Sequence, residues 1–391
     1  MSRKCRVSGG LWAVLLLALA SCQCWRGREA PAQPARQEAA LSVLQAFRAR
    51  VAASRAQMPD IVKAAEVAGE RLMARPNALI NVPYASQTTF AEDILNRSGG
   101  LANALPPIER PQETTPQDVL LLSARSWEKN AAEARKEIAQ AHENGWLIVL
   151  FASRAGMPQD VRADYLIDNG AATGNDEEGP LNALANCVNG WLWCCEYVGA
   201  LTRRGQCPGI LMSALVEGAD QHNQQLQTPK GRHWLGECQI PVEPGYLAGA
   251  YLRRVDEMLE ALAGKRIQGQ IGKAADIIAE RIAAGRPVLV SSCTHVLLFE
   301  IFLNNRCPWK PFYVVWRAQT AIPQNVKQGD LLVWFGFRGL STPYEDYGKY
   351  IRESGADLIT CYMPDSNAAS PLVHIDQYRS PWDAEVNVPC P

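Results

Sequence analysis

The chain has 391 residues, of which 47% are hydrophobic and 20% are charged, and its 39 basic and 40 acidic side chains give a formal net charge of −1. This composition is typical of a folded globular protein, and the length predicts more than one domain. The balanced charge argues against the basic surface that nucleic-acid-binding proteins carry, so we expect no nucleic-acid partner.

The N-terminus has the layout of a secretory signal peptide over residues 1–21. The basic stretch MSRKCR precedes the apolar run LWAVLLLALA, which is too short for an ordinary membrane-spanning helix. The next residues, Leu19-Ala20-Ser21-Cys22, resemble the cleavage box of bacterial lipoproteins, in which the cysteine is lipidated. Because Gln23 and not an aspartate follows Cys22, we predict export to the periplasmic face of the outer membrane and a lipid anchor at Cys22. A plain signal peptide that is cut nearby is the alternative.

A flexible linker is predicted over residues 22–37, which are rich in proline, alanine and charge. Beyond it the chain contains nine further cysteines and no CxxC pair, which argues against a structural zinc site. Disulfide bonds are permitted after export, but their pairing cannot be read from the sequence. The apolar stretch WLWCCEYVGAL (191–201) predicts a buried helix in which Cys194 and Cys195 are free thiols.

Two parts of the chain repeat the same order of predicted elements. The segments IVKAAEVAGERLMA (61–74) and IGKAADIIAERIAA (271–284) are identical at seven of fourteen positions, and both have helical apolar spacing. Each is followed by a short apolar strand, a polar turn and a second helix. In this alignment Glu92 corresponds to Glu300, and Gln87 corresponds to His295. Five elements in the same order indicate an internal duplication.

The alternation of helices with apolar strands predicts an α/β fold. We expect two tandem three-layer αβα units with parallel sheets, which together form a pseudo-dimer. The duplication ends with ADYLIDNG against LVHIDQY, which places Asp168 opposite Asp376. Parallel sheets of this kind bind ligands beyond the carboxyl ends of their strands, so the turns that follow the strands are the places to look for function.

Several segments together resemble a known domain family. DVLLLSARSWEKNAAEARKEIAQAHENGWLIVLFAS, ADYLIDNGAATG, LNALANCVNGWLW and VEGADQHNQQ follow one another in the chain. In this order they resemble the sugar isomerase (SIS) domain of phosphosugar isomerases and phosphosugar-binding regulators, and SSCTHVLLFEIF resembles it more weakly. The resemblance implies a SIS-like domain at 38–240 and a divergent one at 241–391. It also implies a five-stranded parallel sheet between helices, a dimer or pseudo-dimer, and no cofactor.

The resemblance places a phosphate-binding turn at Ser123, Arg125 and Ser126. A strand-to-helix turn suits an anion because hydroxyls and unpaired backbone amides meet there. The sequence departs from the family, since Arg125 stands where a serine is usual and Glu128 follows. Arg125 can bind a phosphate or a carboxylate through two hydrogen bonds, whereas Glu128 repels an anion. A capped helix start without a ligand is the alternative.

The candidates for proton transfer are two glutamates and two histidines. The resemblance implies that a glutamate moves a proton between neighbouring sugar carbons and that a histidine opens the ring or carries a proton. These candidates are Glu92, Glu300, His222 and His295. Surface ion pairs and structural histidines are the alternatives, and no spacing demands a metal at His222, His295 and Glu300. Because the first unit has Gln87 in place of the histidine, we expect one asymmetric site.

The remaining substrate-binding candidates follow the ends of predicted strands. They are Asp168, Asn169, Ser292 and Thr294.

Three functions compete for this pattern. They are an aldose–ketose isomerase, a non-catalytic binder of a carbohydrate derivative, and an envelope-anchored structural pseudo-dimer without a ligand. The altered serine loops argue against the isomerase, and so does export, because phosphosugar metabolism is mainly cytoplasmic. We therefore predict a protein that binds a phosphosugar or amino sugar, with isomerase activity as an extension and the structural pseudo-dimer as the alternative. A homo-oligomer is a further expectation.

Overall fold

The computed structural model describes most of the chain between residues 33 and 376. The described ranges are 33–292, 312–314, 325–335, 341–342, 345–362 and 373–376, apart from gaps at 76, 85–86, 96–98, 108–113, 213–216, 227–233 and 239. They form two compact units whose main bodies are Ala46–Val255 and Asp256–Asp383, whereas the sequence predicts the domain boundary after residue 240. The signal peptide and Cys22 lie outside the described residues. The predicted linker extends to residue 37, but its last residues are helical, because the first helix begins at Gln33.

Residues 33–263 contain seven helices and seven strands in the described ranges. In chain order they are α1 Gln33–Ala56, α2 Met58–Met73, β1 Ile80–Asn81, α3 Thr88–Ile94, β2 Ala104–Leu105, β3 Val119–Ala124, α4 Trp127–Glu143, β4 Leu147–Ala152, β5 Tyr165–Asp168, α5 Gly179–Arg203, β6 Gln206–Pro208, α6 Ala219–Leu226, β7 Trp234–Glu237 and α7 Tyr246–Ala263. Strands β1 to β5 form one parallel sheet in the order β2-β1-β3-β4-β5, and β6 pairs with β7 in an antiparallel ribbon.

The second unit contains a parallel sheet of its own. Its described elements are α8 Lys265–Ala283, β8 Val288–Ser292, β9 Phe312–Val314, β10 Leu331–Phe335, β11 Ser341–Thr342, β12 Glu345–Asp346, α9 Tyr347–Ser354, β13 Asp357–Tyr362 and β14 Val373–Asp376. Read from β9, the sheet order is β9-β8-β10-β13-β14, and all of these pairs are parallel. The predicted α/β fold with parallel sheets is confirmed.

The two sheets have the same strand order. In each, the second strand in sequence lies at one edge and the first strand lies next to it. The register of the strands agrees in detail. Asp168 pairs with Ala152 at the end of the first sheet, and Asp376 pairs with Tyr362 at the end of the second. Both aspartates therefore occupy the last position of the edge strand, as the alignment of the two halves predicts.

The central strands of the first sheet are apolar because helices cover both of their faces. Every residue of β3 (VLLLSA) and of β4 (LIVLFA) is buried. Such continuous apolar runs are typical of parallel strands, and each fully buried leucine or phenylalanine contributes about 1.5–3 kcal/mol to folding. Helix α5 is apolar on most of its surface and is buried along its length, so it packs as an inner helix.

An arginine in each unit binds the amino-terminal ends of the two central strands. Arg71 of α2 donates hydrogen bonds to the carbonyls of Pro116 and Gly145, which precede β3 and β4. Arg281 of α8 donates to the carbonyl of Gly329 at 2.8 Å and to the carboxylate of Asp357, at the starts of β10 and β13. Arg71 and Arg281 are aligned in the two repeated helices, so the same contact recurs in both units.

A glutamate on α2 joins that helix to the end of α5. The carboxylate of Glu66 accepts hydrogen bonds from Arg203 and Arg204. Partial burial alone would raise the pKa of Glu66, but the hydrogen bonds and charges of the two arginines outweigh it and lower that pKa. The triad therefore stays ionised at neutral pH. In the described ranges no helix is long and apolar enough to cross a membrane.

Candidate functional site

The carboxyl ends of the parallel strands bring polar side chains to one edge of the first sheet. Ser123 is the second-last residue of β3, Asn169 follows β5, and Gln87 lies in the turn between β1 and α3. All three are almost fully buried. The sequence predicts Ser123 and Asn169 as binding residues at this edge, and the structure brings them together.

Asn186 of α5 connects these side chains in one hydrogen-bond network. Its Nδ2 atom lies 3.0 Å from Gln87 Oε1, 3.0 Å from Ser123 Oγ and 3.1 Å from the carbonyl oxygen of Ala124. Ser123 Oγ donates to Gln87 Oε1 at 2.5 Å, and Asn169 Nδ2 donates to Asn186 Oδ1 at 3.1 Å. The network is uncharged and internal, so the hydroxyl of Ser123 is already committed to the protein.

Two further asparagines of α5 bind the carbonyls that follow β3 and end β5. Asn182 Nδ2 donates to the carbonyl of Arg125 at 2.9 Å, and Asn189 Nδ2 donates to the carbonyl of Asp168 at 3.2 Å. Residues 182, 186 and 189 lie on one face of the helix because they are four and three positions apart. The sequence reasoning missed these residues. Three asparagines with this spacing in an otherwise apolar helix are the pattern that predicts them.

Gln57, the N-cap residue of α2, holds the turn at Asp168. The backbone amide of Asp168 donates to Gln57 Oε1 at 2.7 Å, and the carbonyl of Asp168 accepts from Gln57 Nε2 at 2.8 Å. The carboxylate Oδ1 of Asp168 accepts the backbone amides of Arg154 at 3.0 Å and Gly170 at 3.1 Å. Asp168 therefore shapes the turn and its carboxylate is only partly exposed, while its role as a substrate-binding residue stays a prediction.

The turn predicted to bind a phosphate uses its backbone donors within the protein. The Ser126 amide donates to Asn130 Oδ1 at 3.2 Å, and the Trp127 amide donates to the carbonyl of Gly174 at 2.8 Å. The carboxylate of Glu128 accepts the amide of Asp176 at 3.2 Å. The start of α4 is thus capped by the 174–176 segment.

Arg125 differs from its neighbours in this turn. Its side chain is half-buried, and within the described ranges no hydrogen bond or ion pair engages its guanidinium. Two buried oxygen atoms also lack partners there, one on the next residue in the chain and one on the residue that bonds to the Arg125 carbonyl. These are Ser126 Oγ and Asn182 Oδ1. Arg125 and its surroundings are therefore the part of this sheet edge that is best suited to receive a ligand.

No family model matches the chain, and no curated protein matches it. Three solved structures are similar to it in architecture. A candidate phosphosugar isomerase from Silicibacter pomeroyi DSS-3 is 13% identical with a TM-score of 0.45, covering 88% of this chain and 92% of its own. A candidate sugar-binding protein from Salmonella typhimurium LT2 is 11% identical with a TM-score of 0.44, covering 84% and 91%. A candidate phosphosugar isomerase from Clostridium difficile 630 is 10% identical with a TM-score of 0.47, covering 86% and 87%.

Glu92 is the fifth residue of α3 and is half-buried. In the part of the chain that the structure describes, its carboxylate has no hydrogen bond or ion pair. The neighbouring Asp93 is different, because it is buried and accepts the indole N–H of Trp191 at 2.6 Å. Glu92 is therefore available for proton transfer, which stays a prediction for this residue.

His222 lies on α6 and contacts the segment that follows β6. Its Nε2 atom is 3.0 Å from the carbonyl oxygen of Ile210, so Nε2 carries the proton of this hydrogen bond. Asn223, the next residue, makes two hydrogen bonds to the backbone of Met212. Among the described residues, no contact joins His222 to the Ser123 network. These contacts indicate a structural role for His222.

The second unit's candidate residues are described only in part. Ser292 is the last residue of β8, whereas the sequence analysis places it after the strand, and its side chain lies outside the described structure. Thr294, His295 and Glu300 also lie outside the described residues. The prediction of one asymmetric site from Gln87 and His295 therefore stays a prediction.

The cysteines of α5 are poor nucleophiles. Cys194 and Cys195 are free thiols, as the sequence predicts. Burial raises the pKa of Cys194 well above its usual value, and it raises the pKa of Cys195 to about 12, with a further contribution from the charge of Glu196. Both therefore remain protonated at neutral pH. Within the described ranges, no group of three His, Cys, Asp or Glu residues is arranged to hold a metal ion.

Proposed function

We propose that this chain binds a small sugar derivative at the carboxyl end of its first sheet, beside Arg125. The observation that carries the proposal is the half-buried guanidinium, which no described residue pairs. A partly desolvated charge is unfavourable without a partner, and an anionic or hydroxyl-bearing ligand supplies one. The resemblance of this segment and its neighbours to the SIS domain supports the same location and the same ligand class.

The Arg125→Gln variant tests this function. A panel of sugar phosphates, amino sugars and sugar acids is screened by thermal shift and then by calorimetry. A ligand present at 100 times its Kd should stabilise the wild-type protein by about 2.7 kcal/mol, and Arg125→Gln should lose most of this effect. Arg135, which is exposed on α4 and paired with Asp160 at 2.6 Å, provides the control variant Arg135→Gln. The proposal is wrong if no member of the panel stabilises the wild type, or if Arg125→Gln binds equally well.

We further propose that the two units arose by duplication. The identical strand order, the matching positions of Asp168 and Asp376, and the recurring contacts of Arg71 and Arg281 support it. Isomerase activity through Glu92, the ligand-free structural pseudo-dimer and the homo-oligomer stay predictions. Glu92 has the free carboxylate that a base needs, but its predicted partners Glu300 and His295 are not among the described residues.

We also propose that the protein is exported and anchored by a lipid on Cys22. The cleavage box and the short apolar run before it support this address. In a bacterial host, Cys22→Ser should shift the protein from the membrane fraction to the soluble fraction and abolish incorporation of labelled palmitate. Cys24→Ser is the matched control and should retain both. Palmitate labelling that survives Cys22→Ser would rule out this anchor.

A further inference from the structure

We infer that the ligand is an acidic sugar, which pairs its carboxylate with Arg125 and donates a hydroxyl hydrogen bond to Asn182. The inference rests on the proposed sugar-binding function and narrows its ligand class. It follows from two features of the Arg125 turn: three of its hydrogen-bond donors are already used within the protein, and a buried acceptor has no donor among the described residues.

A phosphate dianion bound at such a turn needs several hydrogen-bond donors. The Ser123 hydroxyl donates to Gln87, the Ser126 amide donates to Asn130, and the Trp127 amide donates to the carbonyl of Gly174. A phosphate held by these three donors would therefore require three internal hydrogen bonds to break. A ligand that uses only the Arg125 side chain leaves all three intact.

The 174–176 segment also leaves little room and little positive charge at the start of α4. A Cβ atom on Gly174 would lie 2.4 Å from the carbonyl oxygen of Ala155 and 2.5 Å from Trp127 Cδ1, so the segment is pressed against the helix start. Lys129, the nearest lysine in the sequence, pairs with Asp176 at 2.5 Å. The guanidinium of Arg125 is therefore the positive charge of this turn that remains for a ligand.

Asn182 indicates that the ligand donates a hydrogen bond. Its Nδ2 atom donates to the carbonyl of Arg125, which can only accept, so this contact determines which amide atom is the oxygen. The other atom, Oδ1, is buried and has no donor among the described residues. A carboxylate or phosphate dianion has no hydrogen to donate, whereas a sugar hydroxyl has one. Ser126 Oγ, also buried and unpartnered there, can accept a hydroxyl in the same way.

An acidic sugar satisfies both requirements at once. Its carboxylate has two oxygens in the geometry that a guanidinium binds through two parallel hydrogen bonds. Its hydroxyls supply the donor that Asn182 Oδ1 lacks. Asn182 and Ser126 are almost fully buried, so a ligand hydroxyl reaches their oxygen atoms only when the neighbouring side chains shift.

Calorimetry with sugars that differ only at C6 tests the inference on the full chain. The probes are glucuronate, glucose and glucose 6-phosphate, together with the three corresponding galactose derivatives. The uronate of at least one series should bind about tenfold or more tightly than its neutral counterpart, as expected for hydrogen bonds to a charged group. Arg125→Gln should remove this preference, whereas Arg135→Gln should retain it. Asn182→Ala should weaken the uronate and the neutral sugar by the same factor.

The outcomes separate this inference from the broader function. Tighter binding of a sugar phosphate than of its uronate, or equal binding of the uronate and the neutral sugar, would overturn the acidic ligand and leave sugar binding in place. Failure of every probe to bind the wild-type protein would overturn the acidic ligand, and failure of the wider panel as well would overturn sugar binding. Circular dichroism melts show whether Asn182→Ala is folded at the temperature of the titration. If it is not, Ser126→Ala takes its place, with the same expected loss for both sugars.

Discussion

Replacement of Asn186 by leucine is expected to lower the free energy of unfolding by about 3 kcal/mol. Leucine has nearly the same size but cannot bond to Gln87, Ser123 or the carbonyl of Ala124, and it leaves the Nδ2 atom of Asn169 without its acceptor. Each buried polar group that loses its partner costs about 1–3 kcal/mol, and the remaining members of the network recover only part of this by bonding to one another. Urea unfolding followed by tryptophan fluorescence measures the loss.

Asn144→Leu is the matched control for this variant. Asn144 is the half-buried C-cap residue of α4, and among the described residues its side chain bonds only to the carbonyl of Gln140 in that helix. Its replacement should change the stability by no more than about 0.5 kcal/mol. Adding Gln87→Leu to Asn186→Leu should cost less than the two single changes together, because the two side chains share one network. Additive losses, or an Asn186→Leu protein as stable as the wild type, would mean that the network does not stabilise the sheet edge.

The Gly170→Ala variant is expected to lose about 2–4 kcal/mol for two separate reasons. Gly170 has a φ angle of +71°, which is unfavourable for a residue with a Cβ atom. A Cβ atom there would also lie 2.7 Å from the Cβ of Ala53 in α1, which is far inside van der Waals contact. The turn that carries Asp168 and Asn169 would have to move away from α1, so ligand binding at the sheet edge should weaken as well.

Gly205 separates the two causes. Its φ angle is +76°, but nothing lies within 4 Å of a Cβ atom built on it. Gly205→Ala should therefore show only the backbone cost of about 1–2 kcal/mol, and the further loss in Gly170→Ala measures the close approach of α1. Thermal and urea unfolding of both variants provide the comparison. Equal losses in the two variants would show that the contact with Ala53 is relieved without cost.

The elements of the first sheet could be predicted because each of them depends on residues that are close together in the sequence. The strand 119–124 is a continuous apolar run, and the amphipathic helices on either side have a helical period, so the alternation that defines a parallel α/β unit is visible in the residues themselves. The end of β5 at Asp168 was also predictable, since a glycine follows two residues later and permits a tight turn. The equivalence of Asp168 and Asp376 follows from the same order of elements.

The candidate site was predictable only in outline. The parallel fold brings Ser123 and Asn169 to one edge, and this was expected. The Ser123 hydroxyl bonds to Gln87, 36 residues away, and to Asn186, 63 residues away. These contacts depend on how α3 and α5 pack against the sheet. The same holds for the Trp127 amide, which the carbonyl of Gly174 caps. A serine in the sequence shows a donor but not whether the protein itself uses it.

The residue pattern therefore predicted the α/β class, the repeated order of elements and the edge of the sheet where polar residues gather. The apolar period and the order of elements along the chain depend on residues that are close in sequence, so they are encoded locally. The tertiary structure alone decided which polar groups at that edge are satisfied and which are not. Arg125 and Asn182 Oδ1 stand out only when the partners of Ser123, Ser126 and Trp127 are known, because hydrogen-bond satisfaction depends on contacts between residues that are distant in sequence.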